Sequence, residues 1–491
     1  MKQAYSLSFL AGLSLALAFL QPGTWTAVLL GWFSAMALLR AMRLSENSMR
    51  VAYLCGLVKV GIVFNWLVST ISDFGNFPLW IAIPIYLLFV TTNSIHFILF
   101  AFLNRRLKLG LYLTAPVAFA VSEFIVPRIF PWQYSHTQMA FLPIVQIADI
   151  AGSISVTFLI FWVASAIEEI LSIRKLRLTQ LAPVLGLVAS LIYGVNRIET
   201  IKNTPSRNVE IALVQGNIPI EAKHQSSLQY KNFELYLKLS ERFFNSDRLV
   251  IWPETVLVRP VSEKLSSTQN HPWLKNLALN TNWLIGSLTY ENKDIYNSVL
   301  AIDKNGAISK PDHKRILMPF GEYIPFSKTF PWLLDAAHMA GEISPGTELS
   351  YYSFMDSKNE PYTVTPLNCY EDILNTIARK ATKNGADLLV NVTNDAWFGK
   401  STAPFQHHLL ASMRAIENRR TLLRATNTGL TAVVLPTGET SDMIPVWTHG
   451  TIEASVPLAK ELSIYTKYIG DNLWWALSLI SLLIVFRNRH K

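Results

Sequence analysis

Three side chains in this 491-residue sequence could together carry out thiol acyl transfer, namely those of Glu254, Lys314 and Cys369. Glu254 follows the apolar residues 249–252, and the end of an apolar strand is where an α/β sheet exposes functional groups. Enclosure by Trp252 and its apolar neighbours suits a carboxylate that acts as a general base. An isolated carboxylate at such a position is more often solvated or caps a helix, so Glu254 needs partners before it indicates catalysis.

Lys314 and Cys369 each lie in a segment that favours the same chemistry. The ammonium of Lys314, in residues 313–323 (HKRILMPFGEY), can stabilise the oxyanion that forms at a thioester carbonyl, and Glu322 can orient it. Cys369 lies where a predicted strand meets a predicted helix. A helix N-terminus lowers the pKa of a thiol and offers N–H groups to an oxyanion. Taken singly, a basic surface loop and a small buried cysteine remain the alternatives.

The order of the three residues within one domain favours catalysis over these alternatives. His407 and His408 lie on a predicted helix without a nearby carboxylate motif, so a Cys–His pair is less attractive. The other cysteine, Cys55, lies inside an apolar run far from Cys369, so we expect no disulfide. No Cys or His spacing indicates zinc, and we expect neither a metal ion nor a cofactor.

The composition indicates a membrane protein. Hydrophobic residues make up 51% of the sequence and charged residues 16%, and the mean hydropathy is +0.27. This balance is too apolar for an ordinary soluble protein. The net charge of +9 is divided among short basic clusters beside apolar runs, which argues against nucleic acid as a partner.

Apolar stretches of membrane-spanning length predict eight transmembrane helices. They lie at residues 4–20, 24–40, 51–71, 78–103, 111–127, 153–173, 178–196 and 471–486. Basic clusters lie in alternate loops, at residues 40–50, 105–108, 174–177 and 487–491. By the positive-inside rule, both termini are cytoplasmic and the segment between the seventh and eighth helices is extracytoplasmic.

Lys59 is predicted to lie near the centre of the third helix, where an unpaired charge is expensive. We therefore expect a polar cavity or a partner for its ammonium. A buried structural pair and a place on a substrate path remain open alternatives. Glu123 also lies within a predicted span, whereas Glu168 and Glu169 lie near a cytoplasmic end and are expected to reach the interface.

Residues 205–470 alternate between β-rich and amphipathic runs, as in a layered α/β domain. Predicted strands lie at residues 210–215, 249–252, 283–288, 297–302, 362–366, 387–392 and 431–435. Predicted helices lie at residues 226–245, 262–279, 371–384 and 403–420. Residues 304–306 (KNG) predict a hairpin turn. The chain is thus predicted to comprise a seven-helix transmembrane domain (1–200), a catalytic domain (205–470) and a C-terminal helix with a cytoplasmic tail (471–491).

Several motifs resemble those of the nitrilase superfamily. They are WPE at 252–254, KRILMPFGEY at 314–323 and CYE at 369–371. With membrane spans on both sides, the chain resembles the bacterial apolipoprotein N-acyltransferase family over essentially its whole length. Further matches are VQGNIP at 214–219, NVTNDAWFG at 391–399 and RATNTG at 424–429.

The resemblance implies an α+β membrane protein of the bacterial inner membrane, with a periplasmic αββα sandwich on an eight-helix base. It implies a ping-pong reaction in which Glu254 takes the thiol proton and Cys369 attacks an acyl ester of a phospholipid, with phosphatidylethanolamine as the expected donor. Lys314 and the N–H of Tyr370 stabilise the oxyanion. The amino group of a diacylglyceryl-modified apolipoprotein then receives the acyl chain.

The resemblance also implies supporting residues. Glu322, Tyr370 and Glu371 match positions that the family treats as functional support. His224 follows Lys223 where the family commonly has tryptophan, so His224 is the candidate for positioning lipid there in place of an indole.

Residues 324–343 are very apolar for a loop beside an active site, which suits an enzyme that inserts part of its surface into a bilayer. An internal segment of the sandwich is the alternative. Two other functions also remain open. A membrane-tethered amidase or nitrilase-type hydrolase would use water as the second acceptor and release ammonia from a small amide. A non-enzymatic lipid-binding scaffold or transporter would function unchanged after Cys369→Ala.

Overall fold

The computed structural model describes residues 1–75, 77–319, 321–324, 327, 329 and 343–488. The chain divides into two compact units, the first comprising Met1–Val68, Trp80–Thr204 and Ser463–Lys491, and the second Ser69–Leu79 and Pro205–Leu462. Most of the apolar segment at 324–343 lies outside the described residues, so its expected role is untested.

The long apolar runs form helices. The helices before the first strand and after the last are Lys2–Leu20, Trp25–Arg43, Ser48–Val63, Trp66–Ser69, Leu79–Asn93, Ile95–Arg106, Thr114–Ile125, Leu142–Val145, Ala148–Ala151, Ile154–Ile173, Leu181–Asn203 and Asn472–Arg487. Within the described residues, five helical segments are long and apolar enough to cross a bilayer, or six if the bent pair Ser48–Val63 and Trp66–Asp73 is one span.

Two of the predicted spans fall on shorter helices. The runs at 111–127 and 471–486 correspond to Thr114–Ile125 and Asn472–Arg487. Thr114–Ile125 has 12 residues and is therefore about 18 Å long, against a hydrocarbon core of about 30 Å. The count of eight transmembrane helices stays a prediction.

The charges predicted within the spans have identifiable partners. Lys59 is 4% exposed, and its Nζ lies 5.0 Å from the ring centroid of Phe19 and 5.7 Å from that of Phe64. The partner expected for this ammonium is thus aromatic. Glu168 forms ion pairs of 3.3 and 3.0 Å with Arg40 and Arg43.

The second unit is built on strands. Its described strands are β1 (Arg207–Gln215), β2 (Leu249–Ser262), β3 (Asn282–Glu291), β4 (Asp294–Ile302), β5 (Asp312–His313), β6 (Tyr352–Met355), β7 (Pro361–Asn368), β8 (Leu388–Thr393), β9 (Thr421–Thr426), β10 (Thr431–Val434), β11 (Thr440–Ile444) and β12 (Gly450–Leu458). The α-helices among its described residues are Ile220–His224, Gln229–Ser240, Asn375–Lys383 and Ala403–Asn418.

The strands form two six-stranded sheets, ordered β12-β1-β2-β3-β4-β5 and β11-β10-β9-β8-β7-β6. Strands β1, β2 and β3 are parallel in the first sheet, and β7, β8 and β9 are parallel in the second. Parallel strands bring their carboxyl ends to one edge of a sheet, where functional side chains gather.

Both faces of each sheet are covered, which explains why most strand residues are buried. Alternate residues such as Ile251 and Val390 form one apolar cluster between the sheets. Phe233 packs against the outer face of the first sheet. Ala378 and Ala411 cover the outer face of the second. The result is the expected αββα layering.

The predicted helix at 262–279 is wrong. Strand β2 extends to the start of this segment, and only the short 3-10 turns Thr268–Asn270 and Leu274–Asn276 follow. The hydroxyl of Ser267 accepts a hydrogen bond from the main-chain N–H two residues on, and Pro272 lacks a main-chain N–H. Both features favour local turns over a continuous helix.

Other predicted elements are present with shifted ends. The hairpin turn at 304–306 is confirmed, since Ile302 and Ile308 pair in antiparallel fashion and Gly306 has a φ of +78°. The helix predicted from residue 371 begins only at Asn375, because Cys369–Ile373 forms a 3-10 turn. Strands β5, β6, β9, β11 and β12 are not predicted by the sequence pattern.

Candidate active site

Glu254 lies on an irregular stretch of β2. The strand pairs in register with β3 over its first four residues, and the register then shifts. Thr255 has a φ of +47°, which is unfavourable for a β-branched residue. Gly286 of β3 permits the close approach of this segment, since a Cβ there would lie 2.2 Å from the carbonyl oxygen of Pro253. Such a bulge re-aims the side chain that it carries.

The Glu254 carboxylate is 5% exposed and is held at both oxygens. Asn297 Nδ2 donates a hydrogen bond to Oε1 at 2.7 Å, and the main-chain N–H of Asn394 donates to Oε2 at 2.9 Å. Lys314 Nζ lies 3.5 Å from Oε1. These donors fix the carboxylate in one orientation, as a general base requires.

Lys314 is 1% exposed and lies between two carboxylates. Its Nζ is 2.7 Å from Glu322 Oε2 and 3.5 Å from Glu254 Oε1. Burial alone lowers the pKa of Lys314, but the charges of Glu322 and Glu254 outweigh burial and hold that pKa well above its usual range. The side chain is therefore a permanent cation, which suits it to stabilising an oxyanion.

Asn297 connects the two carboxylates to the turn Cys369–Ile373, which carries the proposed nucleophile and is called the nucleophile turn below. Its Nδ2 donates hydrogen bonds to Glu254 Oε1 and Glu322 Oε1 at 2.7 and 2.8 Å. Its Oδ1 accepts a hydrogen bond of 3.0 Å from Asn368 Nδ2. Asn297 lies on β4 of the first sheet, whereas Asn368 ends β7 of the second. The amide pair thus joins the two sheets at the site.

Cys369 occupies a sharp turn directly after β7. Its φ is +50°, and Asn391 of β8 donates hydrogen bonds to the carbonyl oxygens of Leu367 and Cys369 at 2.9 and 3.1 Å. The left-handed conformation costs a residue other than glycine about 1–2 kcal/mol. A strained residue held by its surroundings indicates a constraint on where the thiol must lie.

The pKa of the Cys369 thiol is raised, contrary to the effect expected of a helix N-terminus. Burial raises this pKa most, the charge of Glu254 raises it further, and the charge of Lys314 opposes them. Cys369 is itself the first residue of a 3-10 turn of five residues, and the α-helix that follows this turn begins only at Asn375. The dipole effect is confined to the first turn of a helix. The resting thiol is therefore protonated and requires a base.

Glu371 fastens the nucleophile turn to the segment that carries Lys314. Its buried Oε1 accepts hydrogen bonds from the main-chain N–H groups of Arg315 and Ile316 at 2.7 and 3.1 Å. Its Oε2 accepts hydrogen bonds from Arg315 Nη2 at 2.5 Å and from the N–H of Asn368 at 3.0 Å. Glu371 thus supports the site by positioning two loops.

The other predicted site residues differ in exposure. Trp252 is fully buried and donates a hydrogen bond of 2.9 Å to Ser240 Oγ, so it supports Glu254 from the core and does not face a substrate. Tyr370 is half-buried, and burial raises the pKa of its phenol to about 12. His224 is exposed, and its ring centroid lies 6.2 Å from that of Trp397, so an indole does lie beside His224.

His407 lies between two carboxylates, which the sequence pattern does not predict. Its Nδ1 is 2.8 Å from Asp395 Oδ1, and its Nε2 is 2.8 Å from Asp372 Oδ1. Arg424 Nη1 lies 3.2 Å from Asp372 Oδ2. Burial alone lowers the pKa of His407, but the two carboxylates outweigh it and raise that pKa to about 9. The charged imidazole ties the nucleophile turn, which contains Asp372, to the loop after β8.

We expect the free energy of unfolding to fall as the pH rises from about 6.5, the pKa of an unperturbed histidine, to about 9, the pKa of folded His407. A histidine whose pKa is raised by folding contributes its full stabilisation below the pKa of the unfolded state. This contribution is lost as the pH rises through the pKa of the folded state. The shift corresponds to about 3 kcal/mol. Unfolding at pH 6 and pH 9 should show a smaller difference in His407→Gln than in the parent or in the exposed control His449→Gln. An equal pH dependence in all three would contradict the assignment.

Three residues that contact Glu254 carry no predicted role: Asn297, Asn394 and Lys223. Lys223 is 5% exposed, and its Nζ donates a hydrogen bond of 2.8 Å to the main-chain oxygen of Glu254. Asn297 could have been singled out, since asparagine is depleted from strands and a buried amide needs partners. Asn394 acts through its main chain, so its residue type carries little information.

A buried carboxylate held as a base, a protonated thiol on a strained turn and a permanent ammonium can together carry out cysteine-dependent acyl transfer. The carbon-nitrogen hydrolase profile matches residues 210–463, and the chain belongs to the carbon-nitrogen hydrolase family. A second profile, which describes a more specific family, matches the part of the chain that precedes these residues. The profile of the apolipoprotein N-acyltransferase N-terminal domain matches residues 11–166. The resemblance inferred from the motifs is confirmed.

Curated relatives match nearly the whole chain. A protein of Geobacter metallireducens named apolipoprotein N-acyltransferase is 29% identical and covers 97% of this chain and 93% of its own length. A protein of the same name from Shewanella oneidensis is 28% identical, with coverages of 99% and 96%. Among solved structures, a CN-hydrolase superfamily protein of Xanthomonas campestris is 19% identical with a TM-score of 0.39, covering 51% of this chain and 91% of its own.

Proposed function

We propose that this chain is an acyltransferase of lipoprotein maturation. It moves a fatty acyl chain from a phospholipid, through a thioester on Cys369, to the α-amino group of a diacylglyceryl-modified apolipoprotein. The observation that carries the proposal is the match over nearly the full length to relatives named apolipoprotein N-acyltransferase. The site contributes a base, a cation and a thiol, and the apolar helices suit an enzyme whose substrates are lipids.

In the first half-reaction, Glu254 takes the thiol proton and Cys369 Sγ attacks the ester carbonyl of the phospholipid. The tetrahedral oxyanion is stabilised by the ammonium of Lys314 and the main-chain N–H of Tyr370. Collapse breaks the bond between the carbonyl carbon and the glycerol oxygen. Glu254 returns its proton to that oxygen. Lysophospholipid then departs, and the acyl chain remains on Cys369 as a thioester.

In the second half-reaction, the neutral α-amino group of the acceptor attacks the thioester carbonyl. The same ammonium and N–H stabilise the second oxyanion, and Glu254 takes a proton from the attacking nitrogen. Collapse forms the amide, breaks the C–S bond and returns the proton to Cys369. The enzyme regains its starting state without a metal ion or a redox step.

The proposed topology follows from the charge pattern. Eight membrane helices with basic clusters in alternate loops give cytoplasmic termini in the bacterial inner membrane. Residues 205–470 then form a periplasmic catalytic domain between a seven-helix domain (1–200) and the last helix (471–491). In this topology the phospholipid donor and the lipoprotein acceptor would both be available in the outer leaflet. Phosphatidylethanolamine is the proposed donor, because it is the one that the family resemblance implies.

The proposal is tested by following one labelled acyl chain. Purified protein in nanodiscs receives phosphatidylethanolamine with a labelled acyl chain, and we expect mass spectrometry to find the label on the Cys369 peptide, released by hydroxylamine. Adding a diacylglyceryl-cysteine peptide should move the label to a hydroxylamine-resistant amide. Cys55→Ala is the matched control and should label normally.

Two outcomes would contradict the proposal. Label that accumulates as free fatty acid even when the acceptor peptide is in excess would indicate a hydrolase with water as the second acceptor. Absence of any thioester on Cys369, with the lipid still bound, would indicate a lipid-binding scaffold.

A further inference from the structure

A second buried lysine, Lys223, lies beside the proposed base without any assigned part in the chemistry. Within the described chain its Nζ makes one hydrogen bond, to the main-chain oxygen of Glu254 at 2.8 Å, and no ion pair with a carboxylate. Burial lowers the pKa of Lys223 to about 8, while the charges of Glu254 and Cys369 oppose this effect. A buried ammonium without a carboxylate partner is costly, so a specific role is expected to retain it.

The segment that Lys223 contacts is held away from regular strand geometry. The register between β2 and β3 shifts there, and Thr255 has a φ of +47°. A Cβ at Gly286 would lie 2.6 Å from the Cα of Glu254. A conformation of this kind costs about 1–3 kcal/mol and persists only where surrounding contacts enforce it. The hydrogen bond from Lys223 is such a contact, made at the residue whose side chain must be aimed.

Little space exists for a substitute donor. A cavity of about 10 Å³ is lined by Lys223, Val256 and Asn427, among others. This volume holds at most about one water molecule. Removal of the ammonium would take away the hydrogen bond that the main-chain oxygen of Glu254 accepts from Lys223, and the bulge would be free to relax towards regular pairing.

We propose that Lys223 is a positioning residue, which holds the main-chain bulge at 253–255 so that the Glu254 carboxylate keeps its alignment with the thiol of Cys369. The inference rests on the proposed role of Glu254 as the base. Lys223 acts through Glu254 and does not touch the reacting atoms, which distinguishes it from Lys314. Its effect should therefore disappear when Glu254 can no longer act as a base.

The test is a double-mutant cycle on the alkylation of Cys369 by iodoacetamide, read by mass spectrometry of the Cys369 peptide. Alkylation requires loss of the thiol proton, which Glu254 is proposed to take, and it needs no lipid. We expect Lys223→Met to slow alkylation roughly 10- to 100-fold, less than the roughly 10²- to 10⁴-fold that a general base contributes, because the carboxylate is misaligned and not removed. Glu254→Gln should slow it further, and the double variant should be no slower than Glu254→Gln alone, because both changes act on one path.

Matched variants separate positioning from a loss of folding. Lys223→Gln keeps an N–H donor and should recover part of the rate, whereas Lys238→Met, at an exposed lysine, should alkylate as the parent does. Thermal unfolding reports whether each variant folds. If Lys223→Met does not fold, Lys223→Gln replaces it in the double-mutant cycle. Additive effects of the two changes, or a parental rate in both Lys223 variants, would overturn the proposal. A protein that shows this coupling yet forms no thioester from phospholipid would refute the proposed function and leave the positioning role intact.

Discussion

Cys369→Ala is expected to form no acyl-enzyme from phosphatidylethanolamine and to transfer no acyl chain, because the variant has no nucleophile at the end of β7. Residual transfer should be below detection, since a tethered base and cation without a thiol cannot form the thioester. The measurement is the mass of the 369-containing peptide after incubation with labelled lipid. Cys369→Ser should also show little turnover, because Glu254 would have to deprotonate a far less acidic hydroxyl.

The same position gives a stability control that is specific to its strained backbone. Cys369 has a φ of +50°, so glycine fits the turn without a Cβ penalty. We expect Cys369→Gly to be more stable than Cys369→Ala by roughly 1 kcal/mol, the reverse of the order in regular structure. Thermal unfolding of the two inactive variants measures this difference. Equal activity loss with the opposite stability order would show that the turn is not held in the left-handed conformation.

The strain at Cys369 explains why part of the site is readable from the sequence and part is not. Glu254, Lys314 and Cys369 have reactive side chains at predicted strand ends or in motif segments, so type and order suffice to select them. The φ of +50° depends on contacts from Asn391 on the neighbouring strand β8. No local pattern in residues 366–372 specifies such a contact.

The direction of the thiol pKa shows the same limit. A strand-to-helix turn predicts a lowered pKa, whereas burial and the charge of Glu254 raise it. Glu254 lies more than a hundred positions before Cys369 in the chain, and sequence periodicity reports neither its charge beside the thiol nor the burial of the thiol. The raised pKa has a mechanistic consequence, because a protonated thiol needs a base, and this is the role proposed for Glu254.

The same limit applies to the prediction of the fold: some elements can be identified from their composition, and others depend on contacts that the sequence pattern does not report. Strands such as β8 (Leu388–Thr393) are short apolar runs buried on both faces, and their composition identifies them. The segment at 262–279 has a helical pattern, but Ser267 and Pro272 decide its local structure. His407 is the counterpart in the site, since its two carboxylate partners come from different loops and only the fold brings them together.

Glu254→Gln is expected to slow thioester formation by roughly 10³-fold, while the protein still inserts into the membrane and binds lipid. The amide of glutamine cannot accept the thiol proton in place of the carboxylate. The substitution also has a geometric penalty. Asn297 and the N–H of Asn394 each donate a hydrogen bond to one oxygen of the carboxylate. In glutamine one of these oxygens is replaced by an NH₂ group, so one donor would face another donor.

Single-turnover acylation with labelled phosphatidylethanolamine measures this loss, and Glu322→Gln is the informative comparison. Glu322 contacts Lys314 at 2.7 Å and shares the amide of Asn297, so its loss should weaken oxyanion stabilisation and leave the base in place. The acylation rate of Glu254→Gln should be partly restored at high pH, where hydroxide can deprotonate the thiol. The rate of Glu322→Gln should not be restored in this way. If Glu254→Gln retains near-parental rates at neutral pH, another group takes the proton and the dependence on Glu254 is refuted.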